Sequence, residues 1–136
     1  MRENLDPSWI GGEEAEIYRE NILDHYKNPR NFGVLTKYTF KNRGINPLCG
    51  DNIELFVLLE NNRVKDVKFH GGGCAISTAS ASMLTSKIKG MSLNELRKIS
   101  QEDILEMIGI NLGIVRMKCG LLCLKTLTNG IEKIKE

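Results

Sequence analysis

No apolar run in this sequence lasts more than a few residues, and the stretch from Phe56 to Leu59 is typical. A membrane-spanning helix needs about 20 consecutive apolar residues, so no span is expected. Neither sign of charge prevails: 19 Lys+Arg stand against 17 Asp+Glu, for a net charge of +2. A nucleic-acid-binding domain would carry a clustered basic face, and this balance argues against one. The opening residues MRENLDPSWIGGEEAE hold no apolar core segment and no small-residue cleavage site. No secretory signal is therefore expected, and a cytoplasmic location is. Internal repeats and low-complexity runs are absent too. What remains is a chain of 136 residues, 41% hydrophobic and 26% charged, which are ordinary globular values. That length suffices for one core without disulfide staples.

Four cysteines occur, Cys49, Cys74, Cys119 and Cys123, at separations of 25, 45 and 4 residues. None forms the Cys-x-x-Cys knuckle of a zinc ribbon. In a reducing compartment such thiols serve as ligands, nucleophiles or core fillers more often than as disulfides.

The periodicity predicts an α+β domain, strands first and helices after, spanning residues 13–136 behind a flexible arm of residues 1–12. Ile17, Tyr18, Ile22, Leu23 and Tyr26 fall at helical spacing, and Pro29 ends that helix near Asn28. Residues 37–43 alternate weakly as a first strand, 53–60 form a second, and 64–70 return as a third. Asn61 and Asn62 tolerate the positive φ of the tight turn between the last two. The expected sheet is three-stranded and antiparallel, covered on one face by helices. Ile76, Ala79, Ser80, Met83, Leu84 and Ile88 mark one face of a helix that starts at Cys74 and stops at Gly90. Ser92-Leu93-Asn94-Glu95 is a capping-box pattern for one short helix, Ser100 with Asp103 starts another that ends near Gly109, and the last amphipathic helix carries Leu121 to Ile134.

Three segments place a thiol beside groups that would activate it. Asn46-Pro47-Leu48-Cys49-Gly50-Asp51 sets a thiol two residues from a carboxylate, with Gly50 free to aim both at one point. Taken alone, this loop reads equally well as a solvated turn. Gly71-Gly72-Gly73-Cys74 ends a strand and opens a helix, where free N–H groups and the dipole stabilise a thiolate. No Gly-Lys-Ser/Thr follows, which excludes a nucleotide-phosphate loop of that type. Arg116-Met117-Lys118-Cys119 enters the last helix. Its two cations either act on the thiol, pair with Asp51, or stand solvated on a loop, the last being favoured for Arg116. Cys123, among leucines, reads as core. His25 reads as structural and His70 as a satisfied strand-end residue, so neither joins the ligand set.

Asp24-His25-Tyr26-Lys27-Asn28-Pro29-Arg30-Asn31, Cys49-Gly50-Asp51, Gly71-x-Gly73-Cys74-Ala75-Ile76-Ser77 and Lys118-Cys119 occur in this order. Together they resemble the IscU/SufU/NifU N-terminal family of iron–sulfur cluster assembly scaffolds, over nearly the whole chain. The resemblance implies a metal site at one end of the sheet, where Cys49, Cys74 and Cys119 hold a transient [2Fe–2S] cluster or a zinc ion, with Asp51 as fourth ligand or exchange carboxylate. It implies a cysteine desulfurase as sulfur donor and apoproteins as acceptors, without nucleic acid or membrane; homo-oligomerisation stays open. Lys118 stands where IscU-type members carry histidine, as in SufU-like members. Ile114 to Lys118 replaces the Leu-Pro-Pro-Val-Lys chaperone-recognition run, and the SufU insertion between the second and third cysteines is missing.

The donor chemistry suits that role. Clusters prefer thiolates, and a permanent centre uses four. Three thiolates and one harder carboxylate leave a weakly matched position, which suits a cluster intended to leave. The same set satisfies tetrahedral zinc. The expected function is a scaffold without small-molecule turnover; the alternative is a zinc-bound, SufU-like sulfur acceptor that stimulates a desulfurase.

Overall fold

A computed structural model describes residues 12–47 and 50–134 of the chain. Helix α1 (Gly12–Lys27) precedes three strands, β1 (Phe40–Asn46), β2 (Asp51–Glu60) and β3 (Arg63–Gly72). Four helices follow: α2 (Ala75–Ile88), α3 (Leu93–Arg97), α4 (Gln101–Ile108) and α5 (Ile114–Glu132). The sheet runs β1-β2-β3 with both pairs antiparallel, as the strand pattern predicts. The flexible arm expected over residues 1–12 falls almost wholly outside the described residues. Among those described, no helix is long and apolar enough to cross a membrane.

The β2–β3 hairpin follows directly from its sequence. Asn61 and Asn62 take φ of 55° and 65°, the left-handed pair that matches the twist of the flanking strands. Ile53, Leu55 and Val57 then share the core face with Val67 and Phe69, all essentially inaccessible. Phe56 points to the opposite face and is still buried, with Tyr38 edge-on against it at 5.7 Å. Ser92 and Ser100 form complete capping boxes with Glu95 and Asp103, and Gly109 ends α4 at φ +83°.

Three expectations need correction. The first strand lies three residues later than its apolar alternation suggests. Its inward positions are Phe40, Asn42, Gly44 and Asn46, and after Phe40 they are chosen for α5 rather than for apolarity. Asn42 Nδ2 donates to Thr126 O at 3.0 Å, and Gly44 leaves room for the Thr126 side chain. Second, α2 buries eleven of its fourteen residues rather than a single face. It packs against α1, α4, α5 and β3, so small residues such as Ala79, Ser80, Ala81 and Ser82 line a helix surrounded by protein. Third, the apolar stripe of α1 is mostly outside: Ile22 is buried, whereas Ile17, Leu23 and Tyr26 are exposed.

The segment after α1 stitches α2 to the sheet. The Arg30 amide donates to Ser82 Oγ at 2.8 Å, and Asn31 Nδ2 donates to Thr85 Oγ1 at 3.1 Å. Asn31 O then accepts from the Phe69 amide of β3 at 2.9 Å. His25 belongs to this seam, with Nδ1 2.7 Å from Ser82 Oγ. Burial, helped by the Arg30 charge, lowers the pKa of His25 below its ordinary value. The unfolded chain therefore takes up a proton that the folded chain resists. Stability should be full above the ordinary histidine value of about 6.5 and fall as pH drops through it toward the lowered folded value. Thermal melts at stepped pH should show that slope, and His25→Gln should flatten it.

Candidate metal centre

Asp51, Cys74 and Cys119 are brought together by the ends of three elements. Asp51 is the first residue of β2, paired with Asn46 at the end of β1. The connection between them is residues 47–50, closed by the Gly50 amide donating to Asn46 O at 2.9 Å. Gly50 sits at φ +72° with open space around its α-carbon. Cys49, in this connection, lies outside the described residues. Strand β3 runs back beside the start of β2, with Gly72 opposite Asn52. Gly71 packs so tightly on Asn52 that a Cβ there would lie 2.5 Å from its carbonyl oxygen.

Cys74 is the N-cap of α2, and its Sγ accepts from the Ser77 amide at 3.4 Å. A sulfur thus takes the role that serine or aspartate oxygen usually fills. Cys119 stands in the second turn of α5 and is fully buried; Asn46 Nδ2 donates to its Sγ at 3.8 Å. One ligand atom from each of Asp51, Cys74 and Cys119 lies within 4.8 Å of the others. Asp51 and Cys119 are buried, while Cys74 is half-buried on the open side.

Asp51 is held tightly. Its Oδ1 accepts from the Cys74 amide at 2.9 Å, and its Oδ2 faces Cys74 Sγ at 3.9 Å. Among the described residues it forms no ion pair, which leaves the proposed pairing with Lys118 or Arg116 without support. Those two cations are exposed on the first turns of α5, which begins at Ile114, and not on a loop. Lys118 instead lines a groove of about 920 Å³ with Ile45, Pro47, Leu121 and Lys125.

A buried carboxylate, a buried thiol and a half-buried one converge on one point. With a soft or borderline divalent metal present, the same groups become a matched ligand set. The donor chemistry therefore fits a zinc ion or an iron–sulfur cluster.

A model of the NifU-like N-terminal domain matches residues 17–136. The chain belongs to this family. Among the relatives of this NifU-like domain, the zinc-dependent sulfurtransferase SufU of Bacillus subtilis is 39% identical over 134 residues. That match covers 86% of this chain and 90% of the relative. The iron–sulfur cluster assembly scaffold protein IscU 1 of Archaeoglobus fulgidus is 34% identical over 130 residues, covering 88% of this chain and 84% of that one. A solved structure from Fervidobacterium islandicum AW-1, described as a scaffold protein for iron–sulfur cluster assembly in a SUF system, has a TM-score of 0.73. It is 29% identical, with 88% of this chain and 99% of that chain covered. The N-terminal region of a NifU-like protein from Brucella abortus, at 21% identity and TM-score 0.71, shares the fold, over 86% of this chain and 93% of that one.

Among the described residues of the NifU-like domain, the third cysteine and the two imidazoles stand apart from the cluster. Cys123 is buried one turn beyond Cys119, with Sγ 3.4 Å from Ser80 Oγ. Burial pushes its thiol up to about 11. Its role is packing, and Cys123→Ala should bind zinc with unchanged stoichiometry while melting slightly lower. Loss of metal from a folded Cys123→Ala protein would make it a ligand after all. His25 serves the α1–α2 seam, and His70 is exposed with its ring against Phe32 at 5.5 Å.

Proposed function

We propose that this NifU-like domain is an iron–sulfur cluster assembly scaffold. It builds a transient [2Fe–2S] cluster from iron and desulfurase-derived sulfur, then passes it to apoproteins. The observation that carries this reading is the convergence of one carboxylate and two thiols within 4.8 Å, in a family that includes named scaffolds. Cys49, two residues before Asp51, is the proposed third thiol. It would complete a Cys₃Asp set in which Asp51 is the one hard donor. Sulfur enters as sulfane sulfur and needs two electrons per atom to become sulfide, supplied by a reductant outside this chain. The chain itself positions ligands and turns over no small molecule. Residues 13–136 act as one domain, in the cytoplasm, with a cysteine desulfurase and acceptor apoproteins as partners.

A second reading has its own support. The relative at 39% identity is named a zinc-dependent sulfurtransferase. In that mode a desulfurase persulfide passes its outer sulfur to a thiolate of this site, yielding a new persulfide here and a desulfurase thiolate. Anaerobic reconstitution with ferrous iron and sulfide separates the two. Two irons and two sulfides per chain, with visible charge-transfer bands, support the scaffold. One zinc that iron does not displace, with faster desulfurase turnover, supports the sulfur acceptor.

A further inference from the structure

We propose that Gly73 is a positioning residue that makes Asp51 a one-oxygen ligand: the Cys74 amide clamps Oδ1, and Oδ2 alone is left for the metal. This rests on the metal-site reading above and goes beyond it in saying which atom binds and what aims it.

The geometry points to a clamp built around a missing side chain. Asp51 is wholly inaccessible, so its carboxylate orientation is set by protein contacts rather than by water. Of its two oxygens, Oδ1 takes the Cys74 N–H at 2.9 Å, a good charge-assisted bond. The other oxygen, Oδ2, accepts from the Cys74 thiol at 3.9 Å, a bond that is given up when that sulfur binds a metal as thiolate. The residue that lets the Cys74 amide come so close is Gly73. A Cβ there would fall on Asp51 Oδ1, 2.6 Å from its Cγ and 2.8 Å from its Cα. Gly73 also holds φ at +153°, which residues with a side chain rarely adopt. Any side chain at 73 therefore pushes the carboxylate away from the amide and frees Oδ1 to compete for the metal. Groups that orient a ligand in this way typically matter about 10–100-fold in metal affinity.

Cobalt(II) is a suitable probe, because its thiolate charge-transfer band reports sulfur ligation and its d–d intensity reports coordination number. Wild-type protein should give the charge-transfer band and the intense d–d bands of four-coordination. Gly73→Ala should keep the charge-transfer band, lose d–d intensity and bind cobalt about 10–100-fold more weakly. In the metal-free protein its Cys74 amide should exchange faster with solvent. In an Asp51→Ala background, Gly73→Ala should change cobalt affinity less than about twofold, since the group it positions is gone. Cobalt affinity of Gly73→Ala within twofold of wild type, or an equal loss in both backgrounds, overturns the proposal.

Asp51→Asn tests the ligand atom even if Gly73→Ala does not fold. The Cys74 N–H requires an acceptor, so it orients the asparagine with its carbonyl on the clamp and its NH₂ toward the metal. Asp51→Asn should then bind cobalt as weakly as Asp51→Ala; retention of most of the affinity would mean that Oδ1 is the ligand and overturn the proposal. Absence of any thiolate charge transfer in the wild type would instead overturn the metal-site reading itself.

Discussion

Asp51→Cys protein should assemble a [2Fe–2S] cluster to wild-type occupancy and hand it to an apoferredoxin at least about tenfold more slowly. A tenfold change is about 1.4 kcal/mol of barrier, a modest demand for exchanging one hard oxygen for a soft thiolate. The site tolerates the exchange sterically, because cysteine has less bulk than aspartate and Asp51 sits in a fully enclosed position. The Cys74 amide, which donates to Asp51 Oδ1, can donate to a thiolate instead. Transfer followed by circular dichroism, beside a thermal melt of each protein, separates ligand chemistry from unfolding. Equal transfer rates would mean that Asp51 does not govern release.

Gly44→Val should destabilise the fold strongly. A Cβ at this position falls on Thr126 Oγ1 and lies 3.2 Å from Leu122 Cδ1. Thr126 cannot simply rotate away without giving up its bond to Leu122 O at 2.8 Å. Helix α5 must therefore lift from β1, at about 2–3 kcal/mol for this kind of overpacking, which lowers the melting temperature by on the order of 10 °C. Zinc affinity should fall with it, because Cys119 rides on α5 and Asp51 follows directly from the β1–β2 turn. Gly113→Ala is the control: its added methyl meets open space, and as the N-cap of α5 it should cost no more than about 1 kcal/mol. A Gly44→Val protein as stable as that control would show that the β1–α5 contact yields cheaply.

These two substitutions also mark what the sequence could and could not reveal. Asp51 and Cys74 were legible because their local settings announce them: a carboxylate beside a glycine turn, and a thiol after a glycine run at a helix start. Local propensity was equally plain at Asn61-Asn62 and at the two serine caps. Gly44 carried no such signal. Beyond Phe40 its strand presents Asn42, Gly44 and Asn46 inward, and no alternation of apolar residues betrays these three, because their partners belong to a helix some 80 residues away in the chain. The start of α5 was hidden for a similar reason. Ile114, Val115 and Arg116 are exposed, so the first turn lacks the apolar periodicity by which the rest of the helix is read. The exposed stripe of α1 shows the converse, since helical periodicity identifies a face without saying what covers it.

The cap of α2 has a spectroscopic consequence. The Ser77 amide proton points at Cys74 Sγ, 3.4 Å away, and at no oxygen acceptor of the usual kind. Its chemical shift therefore tracks the electron density on one particular sulfur. Removing the thiol proton, seating an ion on that sulfur, or adding a second sulfur to it each changes that density differently. A single nitrogen–proton resonance at the head of the central helix thus works as a built-in gauge, able to distinguish empty, metal-bearing and sulfur-bearing molecules in a living mixture without any label on the cargo.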